Sequence, residues 1–190
     1  MLTVVLGGAR SGKSRYSQGL GGSGPVVYLA TARPDDDPEM QARIARHRAM
    51  RPATWTTVEE PVDVAAALTR AQPADALVIV DCVTLWISNL FWEHRVLTDD
   101  ALERVVLEQV DALNAAAGPR EVVFVTNDVG SGIVPEHRVG RLFRDVQGLA
   151  NQRLTRAAAH VVWLVAGLPV VLKDDRLHMI VKRSGQLPAG

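Results

Sequence analysis

A mainly parallel β-sheet with helices packed on both faces is the fold this sequence predicts, and three observations carry it. Short β-branched runs alternate with longer helical stretches, the pattern of a parallel sheet wrapped by helices. Each run is nearly all apolar, as strands are when both faces of their sheet are covered. The first run feeds directly into a glycine-rich loop, Gly7-Gly8-Ala9-Arg10-Ser11-Gly12-Lys13-Ser14, that opens a helix. Together these predict an α/β three-layer fold of the P-loop NTPase type, ending in an antiparallel hairpin.

In chain order, Leu2–Leu6 forms the first strand and residues 13–20 the first helix. Gly21 to Pro25 is a turn, and Val26–Thr31 the second strand. A helix over 38–50 starts at Asp35 to Asp37 and Pro38, with acids at its positive end. Pro52 stops it, because the residue before proline avoids the helical region. Helices follow over 62–71, 83–93, 99–117 and 138–159. Between them lie the strands Leu77–Asp81, Glu121–Thr126 and Val161–Val165. Leu168 to Lys173, Asp174-Asp175 and Arg176 to Val181 read as the two arms and turn of the hairpin. One domain over residues 1–183 is expected, with 184–190 a loose tail.

Composition narrows the function. The 21 basic and 21 acidic side chains cancel, which argues against a nucleic-acid partner, since that needs clustered Lys and Arg. A single cysteine, Cys82, leaves no internal disulfide and suits a reducing cytoplasm. The longest apolar stretch, Val161 to Leu172, is 12 residues long and holds Gly167 and Pro169. A membrane span needs about 20 apolar residues, so no membrane partner is expected.

The loop Gly7 to Ser14 matches G-x-x-x-x-G-K-[ST] in full, between a strand and a helix as the motif requires. Gly7, Gly8 and Gly12 let backbone N–H groups turn inward around an anion, and the helix start adds its positive dipole end. Lys13 is placed to reach the β- and γ-phosphates of ATP or GTP, and the Ser14 hydroxyl to ligate Mg²⁺. The second metal ligand is an acid at the end of another buried strand, and Asp81 fits. An Asp there also serves well as a helix N-cap, the alternative role. Cys82 reads as a small core residue. The guanine-reading N-K-x-D of regulatory GTPases is replaced by Thr126-Asn127-Asp128-Val129.

A second segment concentrates cations around one imidazole. Arg43, His47 and Arg51 are spaced four apart and share a helix face, and Arg46 and Arg48 flank the histidine. Met40 and Ile44 supply part of the apolar stripe. This is either a solvated basic helix or a phosphate reader. In the second case His47 is also a candidate nucleophile, because nearby positive charge disfavours the imidazolium and leaves a neutral ring nitrogen. His94, His137, His160 and His178 lack such surroundings.

Several segments resemble one family in the same order along the chain: GGARSGKS, YLATAR at 28–33, DDPEMQARIARHRAMRP at 36–52, W-x-T-x-E-E-P at 55–61 and VTNDVGSGIVPEHRVGRLFRDVQGLANQRL at 125–154. It is the bifunctional adenosylcobinamide kinase / adenosylcobinamide-phosphate guanylyltransferase family of cobalamin biosynthesis. The H-R-x-x-R-P and T-N-x-V-G-x-G-I-V-P segments are far more specific than the phosphate loop. The resemblance implies phosphorylation of adenosylcobinamide by ATP or GTP, then GMP transfer from GTP onto adenosylcobinamide phosphate through a guanylylated histidine, matched here by His47. Some members carry a second histidine just before it, where this chain has Arg46.

The resemblance also places nucleotide contacts on Gly7 to Ser14, on Thr31, Ala32 and Arg33, on Arg48, Ala49, Met50 and Arg51, near Glu59, and on Asp81. Glu59 or Glu60 could accept from guanine, or serve as a helix-start acid beside Pro61. Asn127, Asp128 and the glycines of 130–132 are either a loop for the cobinamide arm or a plain polar turn. A homotrimer is implied, with the apolar Leu85 to Trp92 stretch as a candidate subunit contact. Two rival functions remain: a monofunctional P-loop kinase of another small alcohol, with His47 only a phosphate ligand, and a nucleotide-dependent binding or switch protein.

Overall fold

The computed structural model describes residues 1–33 and 38–175, except for a few side chains within the second helix. Among the described residues thirteen elements follow one another: β1 (Leu2–Gly7), α1 (Lys13–Gly19), β2 (Val26–Ala30), α2 (Pro38–Ala49), β3 (Thr56–Glu59), α3 (Val64–Arg70), β4 (Leu77–Asp81), α4 (Val83–Glu93), α5 (Asp99–Ala117), β5 (Val122–Asn127), α6 (Arg138–Ala157), β6 (His160–Val165) and β7 (Leu168–Asp174). The sheet runs β3-β2-β4-β5-β1-β6-β7. Its first six strands are parallel and β7 is antiparallel to β6. Each predicted helix, and each interior strand, is present to within two residues of its expected bounds.

Strand alternation divides the core in two. Val4, Val78, Phe124 and Val161 face α3, α4, α5 and α6, where Trp86, Leu113 and Leu154 complete the larger cluster. Val5, Tyr28, Ile79, Val125 and Leu164 face the α1 side. In α6 the buried positions Val146, Ala150 and Leu154 recur every fourth residue, the stripe that seats a helix on a sheet. Two acids, Asp99 and Asp100, open α5 and Gly118 ends it at φ 49°, a conformation glycine adopts without steric cost. Among the described residues, no helix is long and apolar enough to cross a membrane.

The structure departs from the sequence reading in four places. β3 was not foreseen: it is an edge strand, and three of its four residues are exposed. The antiparallel hairpin joins β6 to β7 through Ala166 and Gly167, so Leu168 to Lys173 is its second arm and not its first. The arm expected at 176–181, the tail at 184–190 and the helix-start acids Asp35 to Asp37 lie outside the described residues. The Leu85 to Trp92 stretch belongs to the core, since Trp86, Ile87, Leu90 and Phe91 are buried within the chain and, of its large apolar side chains, Trp92 is the exposed one. Cys82 also does more than fill space, for it caps α4 by accepting from the Leu85 N–H through Sγ at 3.4 Å.

Candidate functional site

The phosphate loop leaves β1 at the carboxyl end of the sheet, where open α/β folds bind ligands. Two of its glycines are dictated by geometry. A Cβ on Gly7 would come within 2.5 Å of Ser11 Oγ and 2.6 Å of the Leu164 carbonyl, while Gly12 sits at φ +99°. Gly8 is different from the expectation, because a Cβ there would meet nothing within 4 Å. The hairpin turn braces the loop from behind: the Gly167 N–H donates to the Ser11 carbonyl at 2.9 Å. Ala9 and Arg10 are exposed. Lys13 is buried, and its Nζ donates to the Gly8 carbonyl at 2.6 Å, which folds the ammonium over the loop.

One carboxylate oxygen gathers the site. Ser14 Oγ donates to Asp81 Oδ2 at 3.1 Å, and the Tyr28 hydroxyl donates to the same oxygen. His47 Nδ1 lies 3.9 Å from it. The helix-cap alternative for Asp81 does not apply, since the cap of α4 is Cys82. Burial, reinforced by the Asp81 charge, raises the Tyr28 phenol above its ordinary value. It therefore stays a donor. Burial, followed by the Asp81 charge, pushes the Cys82 thiol up to about 12, which keeps it an unreactive thiol.

The arginines are distributed otherwise than the sequence suggests. Arg48 pairs with Glu59 at the sheet edge. The Arg51 guanidinium lies 3.7 Å from the centre of the Tyr28 ring and its Nη1 donates to Thr57 Oγ1 at 3.4 Å. Arg46, Ala49 and Met50 are exposed, and the Arg43 and Met40 side chains are outside the described residues. The expectation counted only cations around His47, and the structure adds an anion, Asp81. Arg33 is tied to Glu93, whose carboxyl that bond holds below its usual value. Ala32 is half-buried. The Thr31 hydroxyl is engaged by the backbone of Cys82, donating to its carbonyl at 2.7 Å and accepting from its N–H at 2.9 Å.

Glu59 and Glu60 part company. Glu60 Oε1 accepts from the Val62 and Asp63 N–H groups, which is the helix-start duty, whereas Glu59 faces Arg48. Two residues of the site escaped sequence reasoning. Tyr28 gave no signal beyond an aromatic in a strand. Asn89, a lone amide in an apolar helix, ties the ends of β2 and β3 by donating to the Thr31 and Pro61 carbonyls at 2.8 and 2.9 Å.

With this geometry in hand, comparison with known proteins gives one answer. The family profile for cobinamide kinase / cobinamide phosphate guanyltransferase matches residues 3–172. The chain belongs to this family. It is 41% identical over 187 residues to the bifunctional adenosylcobalamin biosynthesis protein CobU of Salmonella typhimurium, covering 91% of this chain and 100% of that one. The Escherichia coli protein of the same name is 42% identical, again over 91% and 100% of the two chains. The Pseudomonas aeruginosa protein CobP is 41% identical over 93% of this chain and all of its own.

Among solved structures, an ATPase from the type III secretion system of pathogenic bacteria superposes with a TM-score of 0.60 at 13% identity. The likeness covers 93% of this chain and 57% of the ATPase, and it speaks to the P-loop fold alone.

Proposed function

We propose that this member of the family carries out both reactions: phosphorylation of adenosylcobinamide by ATP or GTP, then transfer of GMP from GTP to give adenosylcobinamide-GDP and pyrophosphate. The observation that supports placing both in one cleft is the shared oxygen Asp81 Oδ2, bonded to Ser14 of the phosphate loop and 3.9 Å from His47 Nδ1.

In the kinase step the loop N–H groups and Lys13 hold the donor in line. The acceptor hydroxyl oxygen bonds to the γ-phosphorus as the bond to the β–γ bridging oxygen breaks, the hydroxyl proton passes to water, and the nucleoside diphosphate departs. Ser11 Oγ, buried with no hydrogen-bond partner among the described residues, suits a loop that closes around phosphate oxygens. Ser14 Oγ and Asp81 Oδ2 form a two-oxygen donor set. That suits Mg²⁺, which keeps several waters and takes its remaining ligands from phosphates. Mg²⁺ bound there would offset phosphate charge.

In the second step a ring nitrogen of His47 attacks the α-phosphorus of GTP and pyrophosphate leaves. The acceptor phosphate then takes the GMP and frees the ring. With Glu60 committed to the start of α3, Glu59 is the acid left to accept from guanine. Among the nucleotide contacts implied by resemblance, Ala32, Ala49 and Met50 would act through backbone or packing. For the homotrimer, the exposed Leu168, Val170, Val171 and Leu172 of β7 replace Leu85 to Trp92 as the apolar surface in question.

The test is incubation of wild type and His47→Ala with adenosylcobinamide, ATP and α-labelled GTP, read by mass spectrometry and protein-bound label. Wild type should form both products and carry acid-labile GMP. The variant should stop at adenosylcobinamide phosphate. Label retained by the variant would assign the nucleophile elsewhere, and no corrinoid turnover by wild type would overturn the reading.

A further inference from the structure

Between the phosphate-loop strand β1 and the Asp81 strand β4 lies β5, and the end of β5 is unusually well held. Asn127 pairs in register with Gly7, and the Asp128 N–H donates to the Gly7 carbonyl at 3.2 Å. On its other side β4 has already ended, because Asp81 lies level with Val125. Side chains take the place of the missing strand. Thr84 Oγ1 accepts from the Asn127 N–H at 2.8 Å, and Asn151 Nδ2 donates to the Asn127 carbonyl at 3.0 Å. Behind them, Thr126 Oγ1 donates to Asn151 Oδ1 at 2.8 Å, and Gln147 Nε2 donates to both.

This polar seam runs between α4, β5 and α6, where the neighbouring positions are apolar, and Gln147 is fully buried with its Oε1 unpartnered among the described residues. Burying amides and hydroxyls in such a seam costs stability even when most are paired. Its product is a fixed backbone at one residue. Strand alternation sends Thr126 toward α4 and α6, and Asn127 to the opposite face with Val125, Val123 and Tyr28, the face on which α1 and Asp81 lie. Both main-chain groups of Asn127 are occupied, yet its half-buried side-chain amide has no hydrogen-bond partner among the described residues. The neighbouring Asp128 differs: its carboxylate accepts from the Gly130 N–H and the Ser131 hydroxyl, so it shapes the turn.

We propose that Asn127 is the acceptor-side contact of this cleft, its amide hydrogen-bonding the alcohol that receives the phosphoryl group and, after the first step, the phosphate that replaces it. Thr84, Asn151 and Gln147 are positioning residues that act through the Asn127 backbone. The inference rests on the two-step reading above and adds the subsite to it.

Steady-state kinetics on the full chain test it. Asn127→Ala should raise KM for adenosylcobinamide by about tenfold, the loss of one substrate hydrogen bond, and should raise KM for adenosylcobinamide phosphate further, since that bond has a charged partner. Calorimetric affinity for GTP should stay as in wild type. Asn151→Leu should raise the same KM by less, and adding it to Asn127→Ala should bring no further rise, the non-additivity of a residue acting through another. Wild-type turnover with acceptor KM unchanged in Asn127→Ala would overturn the subsite alone. Additive effects of the two substitutions would overturn the positioning role, and absence of wild-type turnover would overturn the function and the subsite together.

Discussion

Tyr28→Phe isolates one hydrogen bond on which the geometry of the cleft depends. Tyr28 is 1% exposed. Its ring stacks with Trp55 at a centroid distance of 6.4 Å and lies under the Arg51 guanidinium. Phenylalanine keeps both contacts and removes only the hydroxyl that donates to Asp81. The Asp81 side chain is 8% exposed, so bulk water replaces that donor poorly. A bond to a charged acceptor contributes about 1.5–3 kcal/mol. Taking about 2 kcal/mol, a chain of this length should lose about 4–8 °C in melting temperature. Scanning calorimetry measures that. Because Ser14 then remains as the donor holding Oδ2, kinase rate should fall more at limiting than at saturating Mg²⁺. A melting temperature within about 1 °C of wild type, together with an unchanged Mg²⁺ dependence, would refute the account of a shared, anchored carboxylate.

Three further outcomes are expected. Lys13→Ala should abolish phosphorylation and strongly weaken GTP binding in calorimetric titration, because the phosphate charge loses its partner; unchanged affinity and rate would remove the loop from the site. Asp81→Asn should lower Mg²⁺-dependent activity far more than it lowers melting temperature, and the reverse ranking would make Asp81 a structural residue. The raised thiol of Cys82 contributes stability that is whole below its ordinary 9.0 and is lost as pH climbs toward about 12. Cys82→Ala should therefore lose less melting temperature than wild type between about pH 8 and about pH 11.

How much of the fold was readable depended on burial. β1, β2, β4 and β5 show as apolar runs because helices or loops cover them on both sides. β3 does not, since Thr56-Thr57-Val58-Glu59 sits at the sheet edge, mostly exposed, and becomes a strand only by pairing with β2. β6 and β7 carried the expected residues, but the turn between them puts Ala166 at φ 50°. A left-handed alanine gives no compositional sign, and the hairpin was displaced by one arm.

The site divides along a different line, between what is contiguous in the chain and what is not. The phosphate loop and the arginine-flanked histidine are local patterns, and both were legible. Tyr28 meets Asp81 across 53 residues and Asn89 meets Thr31 across 58, and no spacing rule connects them. Helix periodicity puts Arg43, His47 and Arg51 on one face, but α2 ends at Ala49, and periodicity could not say which partner each guanidinium takes once β3 brings Glu59 to Arg48 and β2 brings Tyr28 to Arg51. Asp81 shows how fine the distinction is. From sequence it was a metal ligand or a helix cap, two roles that need the same carboxylate at the same strand end. The structure separates them by one residue: Cys82 Sγ takes the Leu85 N–H, and the Asp81 carboxylate, released from capping, turns to Ser14, Tyr28 and His47.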